Sequence, residues 1–128
     1  LTGLYNRRFL SELARSGHQA FYLRLELRGH VLEERPLPDG IENLDWAGGS
    51  SPARWGDGPR LLDSLREVIA RVQPDLIQAG PIQTAALLVA LTGFQPLVSM
   101  SWGSDLLKDA DRNTWQRWAT SYVLRRAR

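Results

Sequence analysis
The sequence predicts an α/β fold: a parallel, doubly wound sheet with helices on both faces. Three observations carry this. Apolar residues at helical spacing alternate with short apolar runs, giving the order helix, strand, strand, helix, strand, helix, strand, helix. The later connections are short, as between the elements of a parallel sheet whose right-handed crossovers put helices on both faces. A polar cluster, Trp102-Gly103-Ser104-Asp105, follows an apolar strand directly, and ligands of open α/β sheets bind at the carboxyl ends of strands.

In chain order, Phe9, Leu10, Leu13 and Ala14 share one helical face, and Gly17 supplies a left-handed stop. Phe21 to Leu25 reads as a strand. Arg28 to Gly40 is polar and broken by Pro36 and Pro38. Ile41 to Trp46 reads as a short strand, and Ala47 to Gly58 as a solvated, flexible loop. That loop lacks the Gly-Lys-Ser/Thr ending of a phosphate-binding loop. Pro59 suits a first helical turn, and Leu61, Leu62, Leu65, Val68, Ile69 and Val72 form an apolar stripe that must stop before Pro74. Leu76 to Gln78 is a brief strand, and Ile82 to Leu91 an almost wholly apolar helix, expected to be buried all round or packed between a sheet and another element. Gly93 ends it, Pro96 to Ser101 is the next strand, and Asn113 caps a last helix. Trp115, Trp118, Ala119, Tyr122 and Val123 share a face of that helix, read as core.

The 128 residues, 43% hydrophobic and 23% charged, suit one domain with a sizeable core. A net charge of +2 gives no nucleic-acid footprint. The absence of cysteine excludes disulfides and thiolate metal sites and is compatible with a cytoplasmic setting. No apolar run approaches the length of a membrane span, roughly 20 residues. Met100 is the only methionine, the chain opens inside a motif, and it closes inside a helical pattern. These features read as part of a larger protein.

Two resemblances follow. "LTGLYNRR" at the start resembles the opening signature of GGDEF diguanylate cyclase domains. The metal-binding "LDxDxFK" strand and the GGDEF hairpin have no counterpart: the strand reads "FYLRLELRGH", and Gly48-Gly49 precede Ser50-Ser51. That likeness is read as coincidental. The second covers most of the chain. "RRFLSELARSGHQAFYL", "LLDSLREVIARVQPDLIQAGPIQTAALLVA", "GFQPLVSMSWGSDLL" and "RWATSYVLRRAR" resemble, in order, the blocks of the N-terminal domain of GT-B glycosyltransferases. The family meant is the large retaining one (glycosyltransferase family 4-like) that includes sucrose synthases.

This resemblance implies that residues 1–128 are a partial, Rossmann-like, acceptor-side domain, with its first strand and the C-terminal donor-binding domain outside the chain. A gap in the sheet is then expected, or direct pairing of Phe21–Leu25 with Leu76–Gln78. The implied reaction moves a sugar from a nucleotide-sugar donor to the hydroxyl of a sugar, lipid or other acceptor, with retention. It implies no cofactor and no metal, since helix dipoles and basic side chains neutralise the leaving diphosphate. This fragment alone is expected to be inactive; the alternative reading is a non-catalytic, doubly wound binding or interaction domain, which fold-level likeness does not separate from an enzyme.

Trp102, Gly103, Ser104 and Asp105 are the leading substrate-binding candidates, with Gly80 and Gln83 across the cleft beside Pro81. The family often has histidine at the position of Trp102; a tryptophan can stack or donate its N–H but cannot act as a base. Asp105 is read as binding an acceptor hydroxyl, orienting a loop, or capping the next turn. The helix start after Gly80-Pro81 is a place where phosphate is attracted. His18 is read as structural, and Glu33-Glu34 and Asp109/Asp111 as solvated; His30 is assigned nothing. Tyr5, Asn6 and Arg7 are weak acceptor-entry candidates. Trp115, Trp118 and Tyr122 with Arg117, Arg125 and Arg126 offer a contact for a lipid-linked acceptor or the inner face of a membrane.

Overall fold
The structure is a computed structural model that describes residues 3–28 and 36–127. The chain divides into two compact units, Leu1–Asp57 and Gly58–Arg128. Each contains a pair of parallel strands, so the architecture is mixed α/β, as predicted, with the strands in two separate two-stranded sheets. The alternative pairing of Phe21–Leu25 with Leu76–Gln78 does not form.

In the first unit, helix α1 (Gly3–Arg15) buries Leu10, and Leu13 and Ala14 are half-buried. Phe9, placed on this face by the sequence, is exposed because it lies one helical step round from Leu10. The Ser16 amide and hydroxyl both donate to the Leu13 carbonyl, at 3.1 and 2.6 Å, and Gly17 turns the chain at φ +79°. Strands β1 (Ala20–Tyr22) and β2 (Ile41–Asn43) pair in parallel, with Ala20 opposite Ile41 and both buried.

β1 is shorter than the predicted Phe21–Leu25 for a visible reason. After the Leu44 amide donates to the Tyr22 carbonyl at 2.9 Å, the partner chain swings out, and the Arg24 carbonyl accepts from the Trp46 indole at 2.7 Å instead. The chain then rejoins. The Glu26 amide donates to the Gly48 carbonyl at 2.7 Å, and the Ala53 amide to the Glu26 carbonyl at 2.9 Å. The expected flexible loop after Ala47 is therefore anchored from Gly48 to Ala53. Gly48 is buried under the Trp46 ring, where any Cβ would collide with the indole.

In the second unit, helix α2 (Gly58–Val72) buries Leu61, Leu65 and Val68, spaced to fall on one stripe. It stops where Pro74 requires, with Gln73 at φ +50°. Strands β3 (Ile77–Ala79) and β4 (Leu97–Ser99) pair in parallel in the register Ile77–Leu97, Gln78–Val98 and Ala79–Ser99. Between them the apolar segment begins as a π-helical turn, Ile82–Ala86, and continues as helix α3 (Leu87–Thr92), which Gly93 ends at φ +82°. Ile82, Ala86, Leu87, Val89 and Ala90 are all buried, because this segment packs against β3, α2 and the last helix, α4 (Thr114–Arg126). The Asn113 side chain caps α4 by accepting from the Gln116 amide at 2.8 Å.

The inner face of α4 is Ala119, Thr120 and Val123, not the predicted aromatic stripe. Trp115 and Trp118 are 47% and 45% exposed. Trp118 sits one helical step round from Ala119, which with Thr120 and Val123 fits closely against α3 and β4. Leu97 and Val123 are fully buried at the centre of this unit, each contributing about 1.5–3 kcal/mol by leaving water. Past α4, Ala127 forms a parallel bridge with Leu97.

Candidate active site at the carboxyl edge of β3 and β4
Both chains leave the β3–β4 pair at the same edge. The Met100 amide donates to the Ala79 carbonyl at 2.8 Å, so the pairing runs one residue beyond the strands. Gly80 then faces Met100 and Trp102. A Cβ there would run into the Met100 carbonyl oxygen and approach the Trp102 indole nitrogen to 3.2 Å. The two turns can lie this close only with glycine at that position.

Asp105 holds the turns together. It is 3% exposed, in a π-helical turn, Asp105–Asp109. Its Oδ1 accepts from the Ser101 hydroxyl at 2.7 Å, the Trp102 amide at 3.0 Å and the Leu106 amide at 3.1 Å. Its Oδ2 accepts from the Ile82 amide, across the edge, at 3.1 Å. A carboxylate satisfied by four donors is a stable buried group. Of the roles expected for Asp105, the geometry is that of orienting a loop. It is not the turn's cap: Ser104 precedes the turn and its side chain makes no capping bond.

Gln83 belongs to the same frame. Its amide nitrogen donates to the Asp105 carbonyl at 2.7 Å and to the Thr120 hydroxyl at 2.8 Å, and that hydroxyl donates to the Gln116 carbonyl at 2.8 Å. The network joins both turns to α4. The Ile82 amide, at the start of the apolar helical segment, is already matched to a carboxylate. The phosphate expected at this helix start meets Asp105 there instead.

The structure thus brings Gly80, Gln83, Trp102, Gly103, Ser104 and Asp105 to one edge, in two layers. Asp105, Gln83 and the Ser101 hydroxyl, which also accepts from the Gly103 amide at 3.1 Å, form the frame. The half-buried Trp102 and Gly103 (φ +90°) and the exposed Ser104 form the rim. The rim offers an indole, a hydroxyl and a bare backbone, and no charge.

Other candidates lie elsewhere. His18 is exposed. Asp109 and Asp111 each face an arginine, Arg112 at 3.8 Å and Arg117 at 2.8 Å, so they do not act as a carboxylate pair. His30, Glu33 and Glu34 lie outside the described residues, as do the side chains of Tyr5, Asn6 and Arg7. Among the described residues no group of three His, Cys, Asp or Glu side chains is arranged to hold a metal ion, and no helix is long and apolar enough to cross a membrane.

On the outside of α4, Trp115 and Trp118 stack with centroids 5.0 Å apart, Trp118 and Tyr122 at 5.3 Å, and the Arg126 guanidinium lies 4.8 Å from the Tyr122 ring centre. α4 carries no acidic residue. The first unit holds a concavity that the sequence reading missed. It has a volume of about 240 Å³ and lies at the carboxyl edge of β1 and β2, beside Trp46. Its residues come from two segments read as strands and from a loop, and the Trp46–Arg24 bond that joins them spans 22 positions.

The glycosyl transferase 4-like family matches residues 8–128 of the chain. No match was found among curated proteins or among solved structures.

Proposed function
The chain belongs to the glycosyl transferase 4-like family, and on that premise we propose that it is the acceptor-side domain of a GT-B glycosyltransferase. The reaction is transfer of a hexose from a nucleotide-sugar donor to an acceptor hydroxyl, with retention. One observation carries the assignment of side: the rim of Trp102, Gly103 and Ser104 is uncharged, and Asp105 engages the helix-start amide of Ile82. A neutral rim with an aromatic and a hydroxyl suits a hydroxylated acceptor better than a diphosphate. The donor is then held mainly by a second domain outside these residues. Trp102 positions the acceptor and does no proton transfer, since an indole is not a base at neutral pH.

The test is steady-state transfer from nucleotide sugars by the full-length protein. Trp102→Ala should raise the acceptor KM about tenfold, a loss of roughly 1.4 kcal/mol, and leave the donor KM unchanged. A change confined to the donor KM would refute the acceptor-side reading.

A second reading concerns location. The exposed Trp115 and Trp118 and the half-buried Tyr122, with Arg117, Arg125 and Arg126 and no acidic residue on α4, support peripheral contact with an anionic membrane face on the cytoplasmic side. Aromatic rings settle at the headgroup level, and arginines pair with lipid phosphates.

A further inference from the structure
We infer that the carboxyl edge of β1 and β2 carries a second binding site, one for a single neutral sugar ring. The site is the concavity of about 240 Å³ bounded by Arg24, Asn43, Asp45, Trp46, Gly49 and Ser50. It forms because the chain swings away from β1 after Leu44 and returns at Gly48, leaving a bay at the end of a parallel pair, where such sheets bind ligands.

Its walls are set. The Trp46 indole is fixed by its bond to the Arg24 carbonyl and by packing over Gly48 and Gly49. The Ser50 hydroxyl donates to the Ala47 carbonyl at 3.1 Å and keeps lone pairs to accept. Asn43 and Asp45 are exposed, and their side chains make no hydrogen bond among the described residues. The bay therefore presents the Asp45 carboxylate, which accepts, the Asn43 amide, which does both, and the Ser50 hydroxyl, around an aromatic wall. This set matches vicinal hydroxyls beside an apolar ring face.

The same features exclude other ligands. The bay is lined by the Asp45 carboxylate and by no cluster of cations, so it does not attract a diphosphate. The Gly49 amide donates to the Trp46 carbonyl at 3.1 Å, so the glycines do not form a phosphate cradle. A single carboxylate does not hold a divalent cation, and the polar rim is wrong for a lipid chain. Identifying the bound ring as part of the acceptor rests on the transferase reading above; the binding itself does not.

The experiment is a titration of the 128-residue chain with methyl α-glucoside, methyl α-mannoside, methyl β-galactoside and N-acetylglucosamine, followed by amide and indole NMR. At least one should give saturable shifts at the Trp46 indole, Gly49 and Ser50. Asp45→Ala and Asn43→Ala should each weaken that binding about tenfold, while the Trp46 indole signal of the free chain stays in place. Absence of shifts in this cluster with every glycoside, or shifts only at Trp102 to Ser104, overturns the inference, as does stronger binding of inorganic pyrophosphate at the cluster. In the full-length protein, Asp45→Ala should raise the acceptor KM about tenfold with kcat unchanged. Sugar binding at the cluster without any transfer would sink the transferase reading and leave the site. Transfer with an unchanged acceptor KM would sink the acceptor assignment and leave the transferase.

Discussion

Replacing Asp105 by alanine removes the acceptor of four hydrogen bonds at once. The Ser101 hydroxyl can rotate to another acceptor, and the Leu106 amide lies at the start of a turn that faces solvent. The Ile82 and Trp102 amides are fixed by the backbone. Each left unpaired in a buried position costs about 1–3 kcal/mol, so Asp105→Ala should lose about 2–6 kcal/mol of stability. That is a large share of the 5–15 kcal/mol typical of a whole domain. Asp105→Asn keeps the shape but points an NH₂ group at one set of donors. It fits best with the oxygen at the Oδ1 position and the nitrogen facing the Ile82 amide, at a cost of about 1–3 kcal/mol. Urea unfolding followed by tryptophan fluorescence reads both losses as lower midpoints at constant slope. Asp111→Ala, which breaks only an exposed pair with Arg117, is the control and should stay within about 0.5 kcal/mol of wild type. If Asp105→Ala behaved like that control, the carboxylate would not be what joins the two turns.

Three further outcomes are expected. Gly80→Ala forces a methyl group into the Met100 carbonyl and should cost about 1–3 kcal/mol, with amide shifts concentrated at Met100 to Gly103; an unshifted spectrum would show that the turns are not in contact. Asn113→Ala removes the cap of α4 and should cost about 1 kcal/mol, with faster hydrogen exchange at the Gln116 amide than at Val123. Replacing Trp115, Trp118 and Arg126 together by alanine should weaken sedimentation with phosphatidylglycerol vesicles about tenfold or more and leave the urea midpoint nearly unchanged. Equal binding to neutral and anionic vesicles would refute the membrane contact.

The inner stripe of α2, the arrest before Pro74 and the Asn113 cap are legible in the sequence because each is a local rule read over a few neighbouring residues. The parallel β3–β4 pair and the meeting of Gly80 with Trp102 are legible too, since strand order and the parallel rule bring those turns together. The role of Asp105 is legible only as one of three alternatives, and not its burial or its partner across the edge. Its donor at Ile82 lies 23 positions away, and nothing in "SWGSDLL" says that the one carboxylate in that stretch is buried. Trp115 and Trp118 mislead for a related reason. Large aromatics at helical spacing look like core, but the space against α3 and β4 is filled by Ala119, Thr120 and Val123, and small side chains let a helix approach closely. The bay beside Trp46 stays hidden because one side-chain bond to a distant carbonyl turns a Gly- and Ser-rich stretch into an anchored wall.

The two-layer build of the β3–β4 edge bears on how such a protein changes its substrate. Ser101, Gln83 and Asp105 are bound to one another or to the backbone of both turns, so a change in any of them disturbs all. Ser104 is exposed, and its side chain makes no hydrogen bond among the described residues; the Trp102 amide, not its ring, holds that residue to Asp105. Specificity can therefore drift, or be engineered, at Trp102 and Ser104 while the fold stays where it is. On the proposed acceptor-side reading, a combinatorial library confined to those two positions would sample new acceptors without first losing the folded protein.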